Sequence, residues 1–365
     1  MTNAALTAIS GLGKKQPAAF LVEAGGLRLL LDCGEGPEPG VWPDFDRIGR
    51  VDAVVLSHGH GDHAGGLKHI ARIGDPPVFA TAAVLAGLKT PVDGRPLPVR
   101  GKIEVLGIEI ECGRSGHALG GIWLRLAIGG GLLYMGDHST ESPVYAFDPP
   151  PPSETLILDA SYGTADETQD SQRRAIAGIA GRGPLLLPAP PDGRGPEIAL
   201  FLHGLGHAVR LDRETRAAVR ELTTSADEFC RPGAAAALAQ LDRETEELDA
   251  EAAPRGVMLA HAPAGQSGVA RALVERWREK ESPAIVFTGH VAQRTPGADL
   301  LASGRAQFQR WNVHPTFAEN VRLARATGAR RVIAAFGGIS AASARQLAPG
   351  SSGPIVAADG RIDID

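Results

Sequence analysis

Apolar positions along the chain fall into short runs that end on glycine, histidine or aspartate. Ala18 to Glu23 and Leu27 to Leu31, separated by Gly25-Gly26, predict a β-hairpin. Val51 to Leu56 reads as a buried strand, followed by a polar loop and a helix over Gly66 to Ile73. Val78 to Ala80 predicts a short strand and Thr81 to Gly87 a helix stopped by its glycine. A Pro-rich connection, Pro91 to Pro98, leads to strands at Ile103 to Leu106 and Ile108 to Glu111. Ile122 to Ile128 and Leu132 to Met135 are strands on either side of Gly129-Gly130-Gly131. Further on, Leu185 to Leu187, Val209 to Leu211, Val257 to Leu259 and Ile285 to Phe287 alternate with Ala- and Arg-rich helical stretches, which implies a mostly parallel sheet. The Glu-rich Asp242 to Glu251 predicts an exposed helix.

Composition narrows the class. The 365 residues can bury a large core, and 43% hydrophobic with 22% charged residues exclude disorder and fibrous repeats. No apolar run approaches the roughly 20 residues of a membrane span. Met1 to Ser10 lacks the charged and apolar regions of a signal peptide, so a cytoplasmic protein with no membrane partner is expected. Cys33, Cys112 and Cys230 are too few and too scattered for a disulfide framework or a zinc ribbon, and read as small buried residues. The net charge of -5 means that any nucleic-acid surface has to be local. Arg322 to Arg331 reads as a solvated helix face.

The chemistry centres on Ser57-His58-Gly59-His60-Gly61-Asp62-His63-Ala64-Gly65-Gly66, directly after a predicted strand. Three imidazoles and a carboxylate in so short a span suit a metal, since neutral imidazole and carboxylate are the usual ligands of zinc and its neighbours. Gly59 and Gly61 are expected to relieve a tight loop, and Gly65 and Gly66 to permit close packing. Asp32, at the end of a buried strand, reads equally as support for a metal ligand or as a turn initiator. His117, in Gly116-His117-Ala118, lies where a further protein ligand is needed. Asp137 ends an apolar strand and is placed to bridge two cations, whereas His138 reads as ligand, outer partner or strand-end histidine alike.

Asp32, His58-x-His60-x-Asp62-His63, His117 and Asp137, each after an apolar strand, resemble the first four motifs of the metallo-β-lactamase superfamily. The resemblance implies an αββα sandwich with a metal cleft at one edge. It assigns His58, His60 and His117 to a first metal, Asp62 and His63 to a second, and Asp137 as their bridge. Leu156 to Gly163, with Asp159 before Ser161-Tyr162-Gly163, is similar to motif A of the β-CASP branch, which includes ribonuclease J, the cleavage and polyadenylation endonuclease and Artemis-type nucleases. Pro188-Ala189 with Gly193-Arg194 and Glu197, Gly256 to Gly268, Ile285 to Gly289 and Thr295 to Leu301 look like later segments of that branch. Trp311 to Thr316 resembles its motif B and makes His314 a general acid or phosphate contact.

The implied fold class is α/β, an αββα metallo-β-lactamase sandwich with an inserted α/β β-CASP domain. The expected divisions are 1–170 for the first part of the core, 171–300 for the insert and 301–365 for the C-terminal part of the core. The implied activity is metal-dependent cleavage of phosphodiester bonds in RNA or single-stranded DNA. Asp62 would orient the attacking water or take its proton, Asp159 would support a ligand histidine, and His314 would face the leaving side. Zinc is the expected ion, with manganese as the other candidate, and a homodimer is a recurrent assembly among such relatives. The pattern breaks at Phe336, where the family places a metal-binding histidine. A phenyl ring cannot coordinate, so one or two ions remain open and the second site should be weakened. Two other readings stand beside the nuclease: a hydrolase of small esters or phosphodiesters, favoured by the acidic charge, and a scaffold subunit with little activity, favoured by Phe336.

Overall fold

The computed structural model describes residues 4–38, 40–347 and 360–364. The chain divides into two compact units, one of Met1–Thr140, Ala146–Asp166 and His314–Asp365, the other of Glu141–Tyr145 and Glu167–Val313.

In the first unit, strands β1 (Ala4–Ser10), β2 (Ala19–Ala24), β3 (Leu27–Leu31), β4 (Ala53–Val55), β5 (Val78–Thr81) and β6 (Gly94–Leu97) lie side by side in chain order. The β2–β3 hairpin turns at Gly25 and Gly26, both at positive φ, as a two-residue hairpin requires. A second sheet runs β7 (Gly101–Val105), β8 (Ile108–Arg114), β9 (Ile122–Leu126), β10 (Leu132–Tyr134) and β11 (Thr155–Asp159), antiparallel as far as β10 and parallel between β10 and β11.

The alternation of side chains along each strand sets the layers. Ala19, Leu21, Leu30 and Val54 join Phe45, Ile48, Leu67 and Val84 in one apolar cluster, so helical segments cover that face of the first sheet. From the opposite face, Phe20 of β2 meets Tyr134 of β10 with ring centroids 5.5 Å apart. Beyond the second sheet, Leu133, Leu156 and Leu158 pack with Phe317 and Ala324 of the helix Phe317–Thr327. The order is helix, sheet, sheet, helix, the expected αββα sandwich.

The second unit carries β12 (Leu185–Ala189), β13 (Val209–Leu211), β14 (Glu246–Glu247), β15 (Val257–His261), β16 (Ala284–Phe287) and β17 (Gln307–Phe308) in the order β14-β13-β15-β12-β16-β17. Every pairing is parallel, as the alternation of strands and helices implied. The expected helix over Asp242 to Glu251 is corrected: the helix Ala234–Glu244 stops, and Glu246–Glu247 pairs with β13. Its physical cause is Leu248, 1% exposed, which has to enter the apolar core, together with Arg210, whose guanidinium faces Glu246 at 3.7 Å. Buried Glu197 in this unit accepts from Trp311 Nε1 at 2.7 Å and from the Ser142 hydroxyl.

The first unit is completed by β18 (Arg331–Ala335), parallel to β11, and β19 (Arg361–Asp363), antiparallel to β1. No helix among the described residues is long and apolar enough to cross a membrane. All three cysteines are free thiols and buried.

Candidate metal centre

Strand ends of both sheets converge on one place. Asp32 follows β3, the His-rich loop follows β4, His117 follows β8, Asp137 follows β10, Asp159 ends β11 and Phe336 follows β18. Gly116 (φ 72) and Gly136 (φ 54) each turn the backbone just before a donor, His117 and Asp137. Asp32 (φ 57) and Phe336 (φ 64) hold the same left-handed conformation without being glycine, a cost of order 1 kcal/mol or more each that is common where side chains are aimed into a site.

The His-rich loop is fastened to residues 33–35 by backbone hydrogen bonds of 2.8 Å: Cys33 N to His63 O, Glu35 N to Gly61 O and Gly66 N to Cys33 O. A Cβ on Gly34 would stand 1.8 Å from Asp62 O, and one on Gly66 2.7 Å from Gly34 O. These glycines are the ones that close approach requires. Gly61 has open space, a Cβ on Gly59 would meet only Val84 at an ordinary 3.8 Å, and neither has positive φ, so the expectation that they relieve the loop is corrected.

Asp32 anchors the whole arrangement. Its carboxylate accepts from Ser57 N (2.7 Å), Ser57 Oγ (2.7 Å), Tyr134 OH (2.5 Å) and His63 Nδ1 (2.7 Å). Because Ser57 Oγ gives its proton to Asp32, it is left to accept from His58 Nδ1 at 3.1 Å. That assignment leaves His58 Nε2 with a bare lone pair facing the centre. Burial, with the neighbouring His63, holds the His58 imidazole well below its usual range and so neutral, the state a ligand needs.

His58, His60, His117 and Asp137 each offer one donor atom, all within 4.8 Å of one another. His60 Nδ1 is 3.1 Å from both His58 Nε2 and His117 Nε2, and Asp137 Oδ2 is 3.8 and 3.5 Å from those two Nε2 atoms. Ligands of a tetrahedral zinc at about 2.0–2.1 Å stand roughly 3.3–3.4 Å apart. Four of the six donor separations, 3.1, 3.1, 3.5 and 3.8 Å, lie near that spacing, and the chemistry of the set fits a divalent cation.

The other half of the centre fits an ion less well. Asp62, His63 and Asp137 also converge within 4.8 Å. However, Asp62 Oδ2 is already in an ion pair of 2.9 Å with Lys15 Nζ, and the Phe336 ring stands edge-on to His63 at 5.0 Å. Burial alone would raise Asp62, but the Lys15 ammonium and the neighbouring His63 together outweigh it and hold the carboxyl far below its usual range. His63 Nδ1 faces Asp32 and its Nε2 faces Asp137 Oδ1 at 3.2 Å; burial alone would lower this imidazole, and the two carboxylates drive it well above its ordinary value.

On the opposite side, Asp137, Asp159 and His314 form a third convergence. Asp159 Oδ2 is 2.8 Å from His314 Nδ1, and its Oδ1 accepts from Ser161 N at 2.9 Å. Asp159 therefore faces His314 and not one of the four-donor histidines. The His314 ring stands 5.0 Å from both His117 and Tyr162. His138 points elsewhere: it lies outside these groups among the described residues, and its ring packs near Phe147. Lys15 was missed in the sequence. A lysine in a glycine-bounded turn carries no pattern that announces which carboxylate it will meet.

Two sheets between helices gather imidazoles and carboxylates, the donors a divalent ion takes, at one set of strand ends. Residues 12–175 match the family model of the Metallo-beta-lactamase superfamily. Similar proteins include the transcription termination factor FttA of Methanothermobacter thermautotrophicus (26% identical, 54% of this chain, 39% of the relative). Others are the endoribonuclease ysh-1 of Neurospora crassa (24%, covering 78% and 42%) and a ribonuclease of Thermus thermophilus (29%, covering 52% and 52%). The chain spans about half or less of the length of these curated relatives. A solved structure of a protein of unknown function from Enterococcus faecalis V583 matches over 100% of both chains with a TM-score of 0.60 at 13% identity, which shows the shared fold.

Proposed function

We propose that this chain is a metal-dependent nuclease of the β-CASP type, cleaving phosphodiester bonds of RNA or single-stranded DNA. The observation that carries the proposal is the four-donor set of His58, His60, His117 and Asp137, spaced for one divalent ion. The names of the ribonuclease relatives support a phosphodiester substrate. Zinc is the ion this nitrogen-rich set favours, with manganese as the alternative. When bound, the ion lowers the pKa of a water and steadies charge on phosphoryl oxygens.

The chain's own residues supply the rest. Asp62, kept ionised by Lys15, orients the water or accepts its proton. His314, held by Asp159, faces the leaving oxygen and protonates it. Asp32, through Ser57, keeps His58 in the tautomer that presents Nε2. A cytoplasmic location and, on the strength of the family resemblance, a homodimer complete this reading.

The test is cleavage of labelled single-stranded RNA and DNA by purified protein loaded with zinc or manganese, beside an Asp62→Asn control. Metal-loaded protein that cuts neither polymer would sink the nuclease assignment. A second reading, a scaffold subunit of low activity, is favoured by Phe336 alone; metal-loaded protein that is inert toward nucleic acids and small phosphodiesters alike is its expected result.

A further inference from the structure

Two features that crowd the Asp62 and His63 half of the centre come from one fastened piece of backbone. Phe336 N donates to Gly11 O at 2.7 Å, and Leu12 forms an antiparallel bridge with Ala335. The turn between β1 and β2 is thereby tied to the end of β18. From that turn Lys15 reaches Asp62, and from the strand end Phe336 presents its ring to His63. Phe336 also stacks edge-on against Phe20 at 6.1 Å, so the ring is held by packing and cannot swing out without opening the core.

Both groups oppose an ion at Asp62 and His63. A phenyl ring offers no lone pair, and a charged ammonium offers none either. The ammonium also occupies one of the two Asp62 oxygens, Oδ2, and repels a divalent charge beside it. We infer that the Lys15 ammonium stands in the place of the second cation, and that the centre takes one divalent ion, on His58, His60, His117 and Asp137. This rests on the metal-dependent reading above. It changes the meaning of Phe336, which is no longer a lost ligand but one of two parts of a substitution. One ammonium supplies a single positive charge where a second divalent ion would bring two, and it cannot be removed by a chelator.

The experiment is zinc titration of the full chain, followed by elemental analysis after dialysis. The proteins are wild type, Lys15→Met, Phe336→His and the double variant, each checked for a native circular dichroism spectrum. One ion per wild-type chain is expected, with at least tenfold tighter binding of a second ion in Lys15→Met and two ions retained by the double variant. Two ions in wild type overturn the inference and leave the metal-dependent reading standing, whereas none overturns both. A Lys15→Met protein that binds the second ion no better than wild type overturns the inference whatever the double variant does. Wild type needs no folding control, so its ion count decides even if a variant fails to fold.

Discussion

His314 Nδ1 and Asp159 Oδ2 lie 2.8 Å apart in a pocket where both side chains are buried. Burial alone would raise Asp159, but the facing His314 with its hydrogen bond, together with His138, outweighs it and the carboxyl sits below its usual value. As a positioning residue, Asp159 is expected to affect turnover more than binding. Asp159→Asn should lower kcat roughly 10²-fold or more while KM and zinc content stay near wild type. Steady-state kinetics with parallel metal analysis measure this; a change confined to KM would contradict it.

Metal removal should destabilise the first unit, because an ion that binds only the folded form adds about 2.7 kcal/mol at 100 times its Kd. The melting temperature should therefore fall on chelation and recover with zinc. His117→Ala should melt at the same temperature with and without chelator, as scanning calorimetry can establish.

Asp32 satisfies Ser57 N, Ser57 Oγ, Tyr134 OH and His63 Nδ1 with no water needed. Asp32→Ala leaves buried donors unmatched and should cost at least about 3 kcal/mol. Urea unfolding gives the value, and a loss under 1 kcal/mol (roughly one ordinary hydrogen bond) would show that the network is not the anchor described above.

Burial pushes the Glu197 carboxyl up to about 7, against the opposing pull of the Ser142 and Trp311 hydrogen bonds. A group whose pKa is higher in the folded than in the unfolded chain contributes stability that is fully present below the unfolded value and lost as pH rises through the folded one. The window here runs from 4.5 to about 7, and its full span is worth about 3 kcal/mol. The melting temperature of Glu197→Gln minus that of wild type should therefore climb between those limits and level off above them. A difference that is flat with pH would rule out the raised carboxyl.

Gly34→Ala would drive a methyl group against the Asp62 carbonyl at 1.8 Å. The loop that carries Asp62 and His63 has to move, at a cost of about 1–3 kcal/mol. Lower thermal stability and weaker zinc retention should appear together, since the displaced loop also carries His58 and His60.

Much of this was legible because it is local. The runs around Phe20, Leu30, Val54, Leu133, Leu186 and Met258 alternate or cluster as strands must, and the motif spacing placed His58, His60, His117 and Asp137 before any coordinate was needed. What escaped depends on contacts between distant parts of the chain. Whether Asp32 supports a ligand or opens a turn is decided by Tyr134 and His63, which lie far from it in sequence. The end of the helix at Glu244 is set by the burial of Leu248 and not by helix propensity. Lys15 is the plainest case, since its partner is chosen by the tie between Gly11 and Phe336.

The four donors of the metal shell all precede the second unit in the chain, whereas His314 and Phe336 follow it. Synthesis at about 5–20 residues per second separates Asp137 from His314 by on the order of ten seconds or more. The nascent chain thus completes the four donors proposed to hold the ion, and the lysine beside them, before the histidine proposed to donate a proton exists. On the proposed reading, loading with metal and arming for catalysis are separate stages of maturation.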